Sequence, residues 1–385
     1  MGRPRLITPQ TRLLAALLHS EGRSNKDIGK KFGLGESTIS KIIRECYDEG
    51  LLSIRFRSGL SDGELERLRA EAGLKNEFTE KLRAFRKDSS AIVLAPEAMV
   101  FESGSTDTGP QDWAARLDTF ARAVGPEVLK LILRSRIVGT SWGRTLATVV
   151  RALGEAQVPL PHSPVHFLPL CGEMLDGPPR KTSASSLALR LDELVNHAAP
   201  NLHGHMLAAV PSHLPLHLPP RDAEIIAGYV TSVPAYRAIF GGQRNPKQAP
   251  LVDRTDMILT SCGPQDRPLG YDAARWFEST GIAEEDARAY IAGDISGNLL
   301  RNMEAGKLPR AVERKIERVN EAWLGAKFDH LRACAQRALE GQLPGVVLCC
   351  IGANKAGTVR EVVRLGLANR LLIDEDCWSA LEKML

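Results

Sequence analysis

Three short segments of the 385-residue chain combine residue types suited to binding a phosphorylated ligand. The first is Ile137-Val138-Gly139-Thr140-Ser141-Trp142-Gly143-Arg144-Thr145-Leu146. An apolar strand-like run enters a glycine turn, and a helix is expected to start at Arg144 or Thr145. The first amides of a helix have no internal acceptor and sit at the positive end of its dipole, so this turn suits a phosphate. Thr145 adds a hydroxyl, and Gly143 and Arg144 complete the turn. The second is Val346-Val347-Leu348-Cys349-Cys350-Ile351-Gly352-Ala353-Asn354-Lys355. Lys355 falls in a first helical turn, where the dipole disfavours a cation. A cation there makes sense opposite a bound anion; a lysine snorkelling at the surface is the plainer alternative. The third is Gly293-Asp294-Ile295-Ser296-Gly297-Asn298, read as another strand-to-helix turn. Asp294 between glycines suits sugar hydroxyls or the capping of a turn. In open α/β sheets ligands bind beyond the carboxyl ends of the strands. With all three turns expected there, the ligand is a phosphorylated sugar or polyol.

The elements that must hold these turns follow from the pattern after residue 90. Short β-rich runs at 91–95, 136–140, 165–170, 205–210, 257–261 and 346–351 alternate with helical stretches. This rhythm predicts an α/β domain with a mainly parallel sheet. Residues 100–111, rich in Ser, Thr and Gly, and 211–220, with four Pro and two His, break it and read as surface insertions. His203, His205, His213 and His217 lack a carboxylate at metal-ligand spacing, and no metal is expected. Cys349 and Cys350 point to opposite faces of a strand as small buried hydrophobes. Trp142 either stacks on a ligand or plugs the core.

Composition separates a head from this body. The net charge is +4, yet residues 1–60 alone carry 11 Lys+Arg against 6 Asp+Glu, leaving the remainder nearly neutral. A basic head on a neutral body suits an anionic polymer. Leu13, Leu14, Leu17 and Leu18 form an apolar stripe on a first helix, and Ser24 with Asp27 resembles a capping box. Ile28 and Phe32 face inward before Gly33-Leu34-Gly35. A third helix from Glu36 to about Asp48 turns Ile39, Ile42, Ile43 and Cys46 inward and shows Ser37, Thr38, Ser40, Lys41 and Arg44 outward. Residues 51–56 alternate like a wing strand. Two short helices joined by a glycine turn, the second polar outward, match the motif that lays a recognition helix in the DNA major groove. A stripe of Leu65, Leu68, Leu74, Phe78, Leu82 and Phe85 over 59–88 reads either as a dimer helix or as a helix buried on its own domain. No apolar window is long enough to span a membrane, Met1–Arg5 begins no signal peptide, and seven Cys without a C-x-x-C pair fit a reducing cytoplasm.

The same residues resemble the SorC-type sugar-responsive bacterial transcriptional regulators. The likeness runs from Ser37-Thr38-Ile39-Ser40-Lys41 and Glu49-Gly50-Leu51-Leu52 through Val138–Leu146, Cys171-Gly172-Glu173 and Gly293–Gly297. It ends at Gly352-Ala353-Asn354-Lys355 and Leu371-Leu372-Ile373-Asp374-Glu375. The resemblance implies a small winged helix-turn-helix at 1–58 and a linker or oligomerisation helix at 59–88. A large Rossmann-like α/β effector domain, with the fold of sugar-phosphate isomerases and deaminases, follows at 89–385. It further implies a homodimer or homotetramer that binds operator DNA and a phosphorylated sugar, with no cofactor. Gly143, Arg144, Thr145 and Lys355 would hold the phosphate, Asp294 the sugar hydroxyls, and Gly172 would line the cleft. Cys262-Gly263 would end a neighbouring strand. The chain departs from the pattern in its two insertions, in Gly35-Glu36, and in the charged helix (311–327) between Asp294 and Lys355. The alternative is a sugar-phosphate isomerase or deaminase with an accessory DNA-binding head. That chemistry needs a general base with a positioned partner, and Asp294 has no second carboxylate or His at a compatible turn. The sequence therefore predicts a regulator rather than an enzyme.

Overall fold

The computed structural model describes residues 8–20, 23–48, 77–87, 96–101, 103, 110–155, 161, 163–173, 182–196, 206–208, 210–241, 249–265, 280–341 and 343–385. The wing, Leu65, Leu68, Leu74, the run 91–95, His203 and His205 lie outside these residues. Two compact units divide the chain, Met1–Lys75 and Asn76–Leu385.

The first unit holds helices α1 (Pro9–Ser20), α2 (Asn25–Phe32) and α3 (Glu36–Asp48). Ser24 caps α2 by accepting from the Asp27 amide, and Gly33 at φ 64° closes it in the left-handed conformation. A Cβ on Gly29 would lie 2.6 Å from the Leu34 carbonyl oxygen, so only glycine lets the turn fold back over α2. Ile28, Ile39, Ile42, Ile43 and Cys46 form the core as expected, with Phe32 and Leu34 packed against it. The stripe on α1 does not behave as expected. Leu13, Leu14 and Leu17 are 55%, 47% and 53% exposed, whereas Ala15 and Ala16 are buried and Leu18 is half-buried. The two alanines, with no side chain beyond Cβ, sit at the contact and face the isoleucines.

The second unit is built on six parallel strands: β1 (Glu97–Phe101), β2 (Ile137–Thr140), β3 (His166–Pro169), β4 (Met257–Thr260), β8 (Gly345–Cys350) and β9 (Arg370–Asp374). Their order is β1-β9-β8-β4-β2-β3. Val346, Leu348 and Cys350 point into one core and Val347, Cys349 and Ile351 into the other. Burial on both faces is what a parallel sheet with helical crossovers requires. One layer contains α5 (Pro110–Leu133), α6 (Arg144–Gly154) and α7 (Ala184–Val195); the other contains α12 (Phe328–Gly341), α13 (Ala356–Leu365) and α14 (Glu375–Glu382). The remaining helices are α4 (Glu77–Lys87), α8 (Pro220–Ser232), α9 (Pro234–Phe240), α10 (Glu284–Tyr290) and α11 (Arg310–Ala322). Of the 59–88 stripe, Leu82 is buried in the body and Phe78 meets Trp378 edge-on at 4.7 Å. The described part of the stripe therefore packs on its own domain.

Five expectations change. The segment around Asp294 is not a strand-to-helix turn. It is a hairpin between β6 (Ile291–Ile295) and β7 (Asn298–Arg301), in a second, antiparallel sheet with β5 (Cys262–Pro264). Ser296 and Gly297, at φ 47° and 81°, make the two-residue turn whose twist suits a hairpin. Cys262-Gly263 accordingly opens β5 rather than ending a parallel strand. Residues 206–208 and 210 are not strand. The supposed insertion at 211–220 is partly built in: Ser212 is buried, its amide donates to Glu173, and its carbonyl accepts from Leu324. At 100–111, Val100 and Phe101 belong to β1 and Ser103 is buried.

Candidate functional site

In the head, Ser37, Ser40, Lys41 and Arg44 are exposed and Thr38 is half-buried, all on α3. Ser40 is not purely outward-looking: its hydroxyl accepts from the Asn25 amide group at 3.1 Å and ties α3 to α2. Arg12 and Glu45 pair at 3.5 Å on the same unit. The outward face of α3 thus offers two cations and two exposed hydroxyl residues on a helix fixed from behind by isoleucines.

In the body, the chain leaves β2 for the edge strand β3, then returns to the other side of β2 as β4. The reversal opens a crevice beyond the carboxyl ends of β2 and β4, the place where such sheets bind ligands. Ser141, Thr260 and Ser296 meet there in a buried hydroxyl chain, 2.9 Å from Ser141 to Thr260 and 2.8 Å from Thr260 to Ser296. Sequence reasoning missed it, although Ser141 and Thr260 mark where apolar strand runs end.

Helix α6 starts in this crevice. Its cap, Gly143, has φ 122° and no side chain caps the helix. A Cβ on Gly143 would meet nothing within 4 Å, so the space beside the turn is open. The Gly143 amide donates to Thr182, which leaves the Arg144, Thr145 and Leu146 amides as the first-turn donors. Thr145 is buried and Arg144 exposed. Trp142 is half-buried and packs on the buried Trp323, ring centres 5.1 Å apart.

Lys355 stands just before α13, beyond the end of β8. With β4 between β8 and β2, the two turns lie two strand spacings apart on one edge, roughly 10 Å. Only 8% of Lys355 is exposed, which removes the snorkelling alternative. Burial disfavours its ammonium, but the sulfurs of Cys350, Cys262 and Cys377 and the Asp294 carboxylate around it hold its pKa above the ordinary lysine range. It therefore carries its charge through neutral pH. Asp294, itself buried on β6, is brought into electrostatic reach of Lys355 despite the sixty intervening residues. Of the helices between them in sequence, α11 packs through Val312, Ile316 and Val319 with Leu299 and Ile291 of the small sheet.

The Lys355 turn is anchored by Asp374 at the end of β9. Its Oδ1 accepts from the Gly352 amide at 2.9 Å and from the Cys377 amide at 3.0 Å; its Oδ2 accepts from Ser103 at 3.0 Å and Arg116 at 2.9 Å. The polar residue closing the apolar run Leu371-Leu372-Ile373 was its only trace in the sequence. Gly172 is buried beside the crevice strand β3, and a Cβ there would lie 2.1 Å from the Val210 carbonyl oxygen. Its place is explained by that close backbone approach. Among the described residues no group of His, Cys, Asp or Glu could hold a metal ion.

No family model matches the sequence, and no curated protein does. Solved structures do match. The full-length sorbitol operon regulator SorC from Klebsiella pneumoniae superposes with a TM-score of 0.54 at 16% identity, over 97% of this chain and all of that one. The chain has the SorC fold. A DeoR family transcriptional regulator from Listeria monocytogenes superposes with a TM-score of 0.50 at 16% identity, over 79% of this chain and 98% of that one. No described helix is long and apolar enough to cross a membrane.

Proposed function

We propose that the chain is a cytoplasmic, DNA-binding transcriptional regulator of carbohydrate metabolism, controlled by a phosphorylated sugar or polyol and acting as a homodimer or homotetramer. The observation that carries the reading is the crevice: an uncapped helix start and a buried, charged Lys355 on one sheet edge, with Asp294 beside the lysine. Phosphate oxygens take the Arg144 and Thr145 amides, in the open space beside Gly143, and the Lys355 ammonium. Asp294 accepts from sugar hydroxyls, and Gly172 closes the wall beside β3. Ser37, Thr38, Ser40, Lys41 and Arg44 face duplex DNA, and heads of this kind act in pairs on half-sites one helical turn apart. Both structural neighbours described above bear the names of transcriptional regulators. The isomerase or deaminase alternative differs in one outcome, turnover of the bound ligand.

The test is a thermal-shift screen of the full chain against phosphorylated sugars and polyols, with turnover followed in parallel. A ligand at 100 times its Kd adds about 2.7 kcal/mol of stability. Lys355→Ala should weaken the ligand found at least tenfold, since removing one partner of a desolvated charged pair costs about 2–5 kcal/mol. Operator affinity without ligand should stay unchanged. Tight binding of the same ligand by Lys355→Ala, or conversion of the ligand to product, overturns the reading.

A further inference from the structure

Three of the seven cysteines converge behind the crevice. The Cys262 and Cys350 sulfurs are 3.4 Å apart, and the Cys350 and Cys377 sulfurs 3.9 Å. They come from three elements: Cys350 is the last residue of β8, Cys262 the first of β5, and Cys377 lies in α14. Packing alone does not ask for three sulfurs in contact, since Cys349, one residue away, serves the opposite core without a partner sulfur among its described contacts.

We infer that Cys262 and Cys350 are a redox modification site: a peroxide converts them to a reversible disulfide that staples the small antiparallel sheet to the main parallel sheet. The cluster distinguishes the attacking from the resolving sulfur. Burial alone would raise the Cys350 pKa, but hydrogen bonds from the Cys262 and Cys377 thiols and the charge of the Lys355 ammonium bring it well below the ordinary range. The hydrogen bond it gives to Cys350, and then burial, push Cys262 up. Cys350, in contact with both other sulfurs and attracted by the Lys355 ammonium, is the cysteine favoured as thiolate, and the thiolate is the nucleophile. Its sulfur attacks one peroxide oxygen and the O–O bond breaks. Cys350 becomes a sulfenic acid, and the departing hydroxide takes up the proton Cys350 lost on ionising, leaving as water. The Cys262 sulfur then attacks the sulfenic sulfur, its thiol proton leaves with the hydroxyl as a second water, and the S–S bond forms. Two thiols lose two electrons to one peroxide. The sulfurs need to close from 3.4 Å to about 2.0 Å. Cys262, 5% exposed between half-buried Ser261 and Gly263, is the sulfur of the pair nearer the surface, and the oxidant must pass it to reach Cys350 at 0%.

The experiment treats the intact chain with stoichiometric hydrogen peroxide, maps peptides without reduction, and follows the thermal midpoint. The expected result is loss of two of the seven thiols, a Cys262–Cys350 linked peptide, and a raised midpoint that dithiothreitol reverses. Cys262→Ser should abolish the link and leave Cys350 to advance to sulfinic acid. Because the map is made on the parent protein, a poorly folding variant does not obscure the outcome. Retention of all seven thiols, or a link from Cys350 to Cys377 instead, overturns the assignment.

Discussion

The turns that leave β2 and β8 stand on the same edge of one sheet and are built in opposite ways. After β2, Gly143 leaves the start of α6 uncapped beside open space. After β8, the Gly352 amide is taken by a carboxylate that also binds Ser103, Arg116 and the Cys377 amide. One turn starts its helix with no side-chain cap beside open space; the other is tied down by a carboxylate just before the lysine. A site for a charged ligand needs both, because affinity comes from donors that are free and from a charge whose position is fixed before binding.

The comparison breaks first at Asp374. Asp374→Ala leaves the buried Gly352 and Cys377 amides without their acceptor and takes one of two carboxylates from Arg116, which keeps Asp376; each unmet buried amide costs about 1–3 kcal/mol. Denaturant unfolding should show a clearly lower midpoint, and an unchanged one would mean the β8 turn is not held this way. Gly143→Ala is the counterpart at β2. Its Cβ meets no atom, so the cost is the backbone strain of φ 122° alone, about 1–3 kcal/mol. Stability should fall less than for Asp374→Ala, while affinity for the phosphorylated ligand falls as the cradle shifts. Thr145→Ala keeps the amides and removes one hydroxyl, so calorimetry should show a smaller loss of affinity than for Lys355→Ala, about 0.5–1.5 kcal/mol.

The head supplies the smallest effects and an internal control. Ser24→Ala removes the cap of α2 and should cost about 1 kcal/mol in the stability of the head, with ligand binding unaltered. Lys41→Ala should weaken operator binding and flatten its log–log salt dependence by about 0.9 if Lys41 meets one phosphate. A slope equal to the parent's would remove Lys41 from the phosphate contacts.

How far the residues alone reached depends on the range of the interactions involved. The helices of the head were readable because caps and 3.6-residue periodicity act within one turn, as at Ser24, Gly33 and Ile39–Ile43. The parallel strands β2, β4 and β8 were readable because burial on both faces demands unbroken apolar runs. Lys355 and the Gly143 turn stood out because each breaks a local rule, a cation at a helix start and an uncapped glycine turn. The exposed side of α1 did not: four leucines outweigh two alanines in any hydrophobicity pattern, yet close helix packing chose the alanines. The hairpin at Asp294 was misassigned because a Ser-Gly pair serves a hairpin as well as a helix start. Only its pairing with β5, some thirty residues earlier, decides between them. The hydroxyl chain, the Asp374 clamp and the three-sulfur cluster join residues from strands far apart in sequence. Each carries an ordinary local environment, and only the sheet order β9-β8-β4-β2 and the small sheet docked beside it bring them into contact.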